Sequence, residues 1–115
     1  MHNFRELKIW QRSMDLVVKV YKKTKTFPKE ETFGITFQIR KSAVSVPSNI
    51  AEGAGRDSNQ QFKHFLAISM GSDNELQTQI ELSRRIGYIT DEDAFDIIEE
   101  ASQIYKMILG YYNGL

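Results

Sequence analysis

Cysteine is absent from the 115 residues, which excludes disulfides and thiolate metal sites. Histidine is scarce: His2 lies in the N-terminal tail, and His64 follows Gln61 where a carboxylate-bridged centre in a helical core needs Glu-x-x-His. No metal site or cofactor is expected. No apolar run approaches the length of a membrane span, and Met1-His2-Asn3-Phe4-Arg5-Glu6 holds no apolar segment of signal-peptide length. The expectation is a soluble, cytoplasmic protein with no membrane partner. No strand is expected, so no glycine-rich phosphate loop follows one, and no small-molecule substrate is evident.

Net charge is absent too, but its parts are unevenly placed. Residues 1–57 hold 11 Lys/Arg against 6 Asp/Glu and residues 58–115 hold 4 against 9, so the halves carry +5 and −5. A local basic face can act despite a balanced total, because screening confines each charge to about 10 Å. Two solvated faces, a nucleic-acid surface or attraction between subunits would each account for the asymmetry.

What is present is amphipathic helix. With 41% hydrophobic and 26% charged residues the chain falls in the globular range, and its length suits a single domain over residues 1–115. The spacing predicts a first helix over residues 6–26, with Leu7, Trp10, Met14, Val17 and Tyr21 on one face and Ile9, Leu16 and Val20 on a strip beside it. That arc covers roughly half the helical wheel, wider than one core-facing stripe needs. Phe27-Pro28 ends the helix. In the next, Phe33, Ile35, Phe37 and Ile39 alternate as a strand would. The helical pattern Ile35, Ile39, Ala43, Val46 and Ile50 is longer, and no hairpin partner is evident. Phe33, Phe37, Val44 and Ala51 lie on the opposite side, so a second subunit is expected to cover them.

Ser58-Asn59-Gln60-Gln61 is a capping box opening a third helix to about residue 86, with Phe62, Phe65, Leu66, Ser69, Leu76, Ile80 and Ser83 inward. Asp73 falls in the same arc and needs a cation or several donors, for which Arg40 is the expected partner. Gly87 ends this helix and Thr90-Asp91-Glu92-Asp93 caps a fourth, whose stripe includes Ala94, Ile97, Ala101, Ile104 and Ile108. Its end is expected to fray at Gly110, Asn113 and Gly114. Short connections favour an all-α, antiparallel up-down-up-down four-helix bundle.

One stretch breaks the monotony: Ser45-Val46-Pro47-Ser48-Asn49-Ile50-Ala51-Glu52-Gly53-Ala54-Gly55-Arg56. Pro47 requires a kink, or a stop and restart. Gly53 and Gly55 are expected to supply the left-handed geometry that ends a helix, so Gly55→Val is expected to cost more than Arg56→Ala. In the structural reading, Asn49 or a serine such as Ser45 satisfies the carbonyl freed by Pro47, and Glu52 pairs with Arg56. A functional reading makes Arg40, Lys41 and Arg56, with Arg12 and Lys19, a phosphate-binding surface. The structural reading is preferred, because Trp10 and the phenylalanines fall on core stripes and leave no stacking platform.

Residues 45–56 resemble the signature of small four-helix-bundle proteins encoded in intervening sequences of bacterial 23S ribosomal RNA genes. Phe4-Arg5-Glu6-Leu7-Lys8-Ile9-Trp10-Gln11, Gln38-Ile39-Arg40-Lys41-Ser42-Ala43, and Gly71-Ser72 with Glu75-Leu76 are similar to the family's flanking segments. The resemblance spans nearly the whole chain. It implies a homo-oligomeric bundle, and a pentamer, since related accessory proteins of diversity-generating retroelements form five-fold barrels that bind a reverse transcriptase and nucleic acid. For the intervening-sequence branch it implies no established activity. The expected function is a non-enzymatic, self-associating module whose partner is itself, with RNA or a partner protein as the alternative.

Overall fold

The computed structural model describes residues 1–115, and four helices account for most of them: α1 (Lys8–Lys23), α2 (Ile35–Ala54), α3 (Asn59–Arg85) and α4 (Asp91–Asn113). Each helix packs on its two neighbours, and the backbones of diagonal helices stay apart across a core to which all four contribute. Paired numbers run in opposite senses, Ser42 to Glu75 and Ser45 to Ser72 between α2 and α3, Arg12 to Gln103 and Lys19 to Asp96 between α1 and α4. This is the antiparallel up-down-up-down bundle, measuring 43 × 24 × 19 Å.

The chain enters later than the expected residue 6. Asn3 caps a 3-10 turn at Phe4–Glu6 by accepting from the Arg5 N–H, and Leu7 is extended before α1 begins. The far end stops at Lys23, where the buried Thr24 turns its hydroxyl onto the Val20 carbonyl. Inward on α1 are Ile9, Ser13, Leu16 and Val20, while Met14 and Tyr21 are exposed and Trp10 and Val17 half-buried. The stripe expected to lead is therefore the flank. Both strips repeat every three or four residues, and only the neighbouring helices decide which one is covered.

Of the two courses open at Pro47, the stop and restart does not occur: α2 runs unbroken from Ile35 to Ala54 with Pro47 buried inside it. The Asn49 amide donates to Ser45 O at 2.9 Å and the Ser69 hydroxyl to Val46 O at 2.8 Å, so neither serves, as the sequence suggested, the Ala43 carbonyl four residues back that the proline leaves without an N–H. Neither glycine is left-handed. Gly53 is helical, Gly55 closes the helix at φ −83°, and the one positive φ in the chain is at Gly87, +86°. Gly53 serves close approach instead, since a Cβ there would lie 2.8 Å from Phe65 Cβ and 2.9 Å from Phe62 Cδ1.

Ser58 accepts from the Gln61 N–H at 3.2 Å and Thr90 from the Asp93 N–H at 3.1 Å, so α3 and α4 start at their capping residues. The expected fraying of α4 is absent, because the helix continues through Gly110 to Asn113 with Tyr111 packed 5.5 Å from the Phe62 ring. The His2 ring also packs against Phe62, at 5.1 Å, and the His2 backbone N–H donates to Ala54 O, so the N-terminal tail straps one end of the bundle. At the other end Tyr88 donates to Glu31 Oε2 at 2.8 Å and stacks on the buried Phe27, pinning the α1–α2 connection.

Candidate interaction surface

The proline-glycine stretch is a helix–helix seam. Ser45 Oγ lies 2.8 Å from Ser72 Oγ, the Asn49 amide reaches Ser45 Oγ at 2.9 Å, and Ser42 donates to Glu75 at 2.8 Å. Small residues let α2 and α3 close together, and their hydroxyls satisfy one another at the contact. Ser45, Asn49 and Gly53 belong to this seam, whereas Pro47 lies on the α1 side of α2 and Gly55 only closes the helix. Glu52 and Arg56 stand outside it, paired at 3.2 Å, with the guanidinium 4.8 Å over the Phe65 ring.

Asp73 is fully buried without Arg40. The Gln77 amide donates to Oδ1 at 2.7 Å and Oδ2 has no partner, so burial pushes the carboxyl up to about 6 despite that hydrogen bond. Arg40 is drawn to the carbonyl end of α1 instead. Its Nε donates to Thr24 Oγ1 at 3.0 Å and Nη2 to Tyr21 O at 3.3 Å, with the guanidinium 4.5 Å over the Tyr21 ring.

The other candidate phosphate-binding residues are not gathered on one face. Arg12 donates to Gln103 at 3.0 Å and Lys19 lies 2.6 Å from Glu100 and 3.1 Å from Asp96, chiefly the first of which raises its pKa. Lys23 pairs with Asp93 at 3.0 Å. The basic side of α1 and the acidic side of α4 thus meet within one chain, and their attraction is not free to join subunits as the sequence suggested. The physical reason is topology: α1 and α4 are adjacent edges of the bundle. Lys41 alone among the five is exposed and without an ion pair.

Lys41 sits beside exposed aromatics. Phe33 is 92% exposed and Phe37 54%, and together with Lys41, Ser42, Glu75 and Gln79 they line a shallow groove between α2 and α3. These phenylalanines are not core residues, which corrects the expectation that none offers a platform. Val44 and the half-buried Ala51 instead meet Trp10, Met14 and Pro47 in an apolar groove of about 330 Å³ between α1 and α2. That groove explains the width of the apolar arc on α1.

A second apolar surface, between α3 and α4, escaped the sequence. Leu82 and Ile98 floor a groove of about 530 Å³, and Phe95 stands beside it, 68% exposed. Its one signal is that Leu82, Ile86 and Phe95 fall outside the inward stripes of their helices. Glu81 on its rim takes hydrogen bonds from Arg84 and Arg85, both at 2.9 Å, which hold its carboxyl down at about 2. No three His, Asp or Glu side chains gather to hold a metal, and no helix is long and apolar enough to cross a membrane.

A family model described as 23S rRNA-intervening sequence protein matches residues 5–110, which span all four helices of the bundle. The chain belongs to that family. A solved structure from Bacteroides thetaiotaomicron, described as a protein with unknown function from the S23 ribosomal protein family, superposes with a TM-score of 0.84. It shares 27% identity with this 23S rRNA-intervening sequence family member, covering 90% of this chain and 97% of the other. Among curated proteins none matches.

Proposed function

We infer that the protein is a non-enzymatic, self-associating helical module of the cytoplasm whose first partner is a second copy of itself. The observation that carries this is the exposed outer side of α2: Phe33, Phe37 and Val44 leave the bundle's surface more apolar there than a lone chain in water favours. The resemblance supports five copies. Sedimentation velocity at micromolar concentration is expected to give an assembly five times the 13.3 kDa protomer mass, and a monomer there overturns the reading.

A second reading is favoured by one observation, the uncommitted Lys41 beside Phe33 and Phe37. An exposed cation next to aromatic faces suits a single-stranded nucleic acid, which binds by phosphate contact and base stacking. Fluorescence anisotropy with a fragment of 23S ribosomal RNA at about 50 mM salt tests it. Affinity that falls steeply as salt rises, and is lost in Lys41→Glu, supports this reading; no binding at that salt ends it.

A further inference from the structure

We propose that the groove between α3 and α4 receives the outer face of α2 from a second copy, giving a head-to-tail contact. This rests on the self-association proposed above and adds the missing half of the interface.

The two surfaces stand on different sides of the bundle but at the same end. Tyr88 bonded to Glu31 at 2.8 Å holds the α3–α4 turn against the segment that leads into Phe33. The Ser42–Glu75 bond sets α2 against α3 so that Phe37 comes level with the C-terminal turns of α3, where Leu82 lies. Rotation about an axis parallel to the bundle leaves height unchanged. It therefore brings one copy's Phe33 and Phe37 to the next copy's Leu82, Ile86 and Phe95 without a shift along the helices.

The chemistry of the groove selects the same occupant. Glu81 is already satisfied by Arg84 and Arg85, and Arg84 also reaches Asp91 at 3.3 Å, so the rim has little need of a further charge. What the floor of Leu82 and Ile98 lacks is apolar cover, and about 530 Å³ is ample for a phenylalanine side chain. The charges outside the rim agree. Lys29 and Lys41 have no ion pair on the α2 side, and Glu92 and Glu99 have none on α4. A two-fold contact through α2 would set Lys41 near Lys41 and leave the groove empty, whereas a head-to-tail contact sets unlike surfaces together.

The absence of cysteine makes the test clean. Phe37→Cys and Leu82→Cys, both at exposed positions, are unfolded together, refolded as a 1:1 mixture and treated with a short bis-maleimide. A covalent dimer is expected from the mixture and from neither variant alone. Linkage within Phe37→Cys alone, or none in the mixture, overturns the head-to-tail contact. Sedimentation of the same samples separates the two ideas: an assembled but unlinked mixture removes the groove and leaves self-association standing, and a monomeric wild type removes both. As an independent check, Leu82→Glu should dissociate the assembly with unchanged circular dichroism; a folded variant that stays assembled contradicts the proposal.

Discussion

The backbone of Gly53 passes so near Phe65 that a methyl group on the glycine would stand 2.8 Å from Phe65 Cβ, well inside van der Waals contact. The obstacle is the root of a side chain, which cannot swing aside without moving α3. Gly53→Ala should therefore cost about 1–3 kcal/mol in urea unfolding, the usual range for overpacking. At Gly55 a Cβ would meet only backbone oxygens at 3.6 and 3.8 Å, and φ is −83°, which any residue tolerates. Gly55→Ala is expected within about 1 kcal/mol of wild type. Arg56→Ala, which removes an exposed pair, should lie within about 0.5 kcal/mol. Equal losses at Gly53 and Gly55 would mean that the glycines act through backbone geometry after all.

Asp73 makes stability depend on pH in the direction opposite to a paired carboxylate. Its folded value of about 6 lies above the 3.8 of an unfolded aspartate, so the folded state binds the proton more tightly. Protonated, the side chain is tolerated in the core. As pH rises from about 4 through 6 the folded state must carry a buried charge, and at most about 3 kcal/mol is lost. Asp73→Asn keeps a partner for Gln77 and has no proton to lose. The variant should gain on wild type steadily between pH 4 and 7 in chemical denaturation, and a constant difference across that range would contradict the assignment.

Helix number, both serine–threonine caps and the inward stripes of α2, α3 and α4 were legible in the sequence, because each depends on residues a few positions apart. Three things were not. Which strip of α1 faces inward depends on where α2 and α4 stand, and Ile9 and Trp10 repeat equally well. Pro47 left a kinked helix and a stop both open because its missing N–H is a local signal, whereas the packing of α3 along α2, with the Ser69 hydroxyl on Val46 O, comes from another helix. The opposite charges of α1 and α4 suggested a contact between subunits because sequence does not reveal that Lys19 and Glu100 sit on adjacent edges, 2.6 Å apart.

Tyr88 links two connections distant in sequence, and its phenol is held protonated first by the hydrogen bond to the Glu31 carboxylate. Its titration should run above that of an ordinary tyrosine. The difference in ultraviolet titration between wild type and Tyr88→Phe isolates it from the other four tyrosines. Glu31→Gln is expected to lower this value toward the ordinary one, and amide exchange in residues 24–34 should quicken in both variants. Unchanged exchange would show that Phe27, not the hydrogen bond, anchors that connection.

The outer face of α2 separates assembly from folding. Phe37 is 54% exposed and Val44 39%, while Ile39, Ala43, Val46 and Ile50 on the inner side are buried. A carboxylate at position 37 or 44 faces water in an isolated chain and costs little there. Across a subunit contact it would be stripped of water, and Lys41 one turn away, itself at the contact, offsets only part of a penalty of several kcal/mol that weakens association by powers of ten. Phe37→Glu and Val44→Glu should therefore sediment as monomers with nearly the helical circular dichroism of wild type. Ala43→Glu, by contrast, places the charge in the core and should lose helix and assembly together. If Phe37→Glu and Val44→Glu remain assembled, the contact between copies lies elsewhere; if they unfold, the outer face of α2 is needed by the bundle itself.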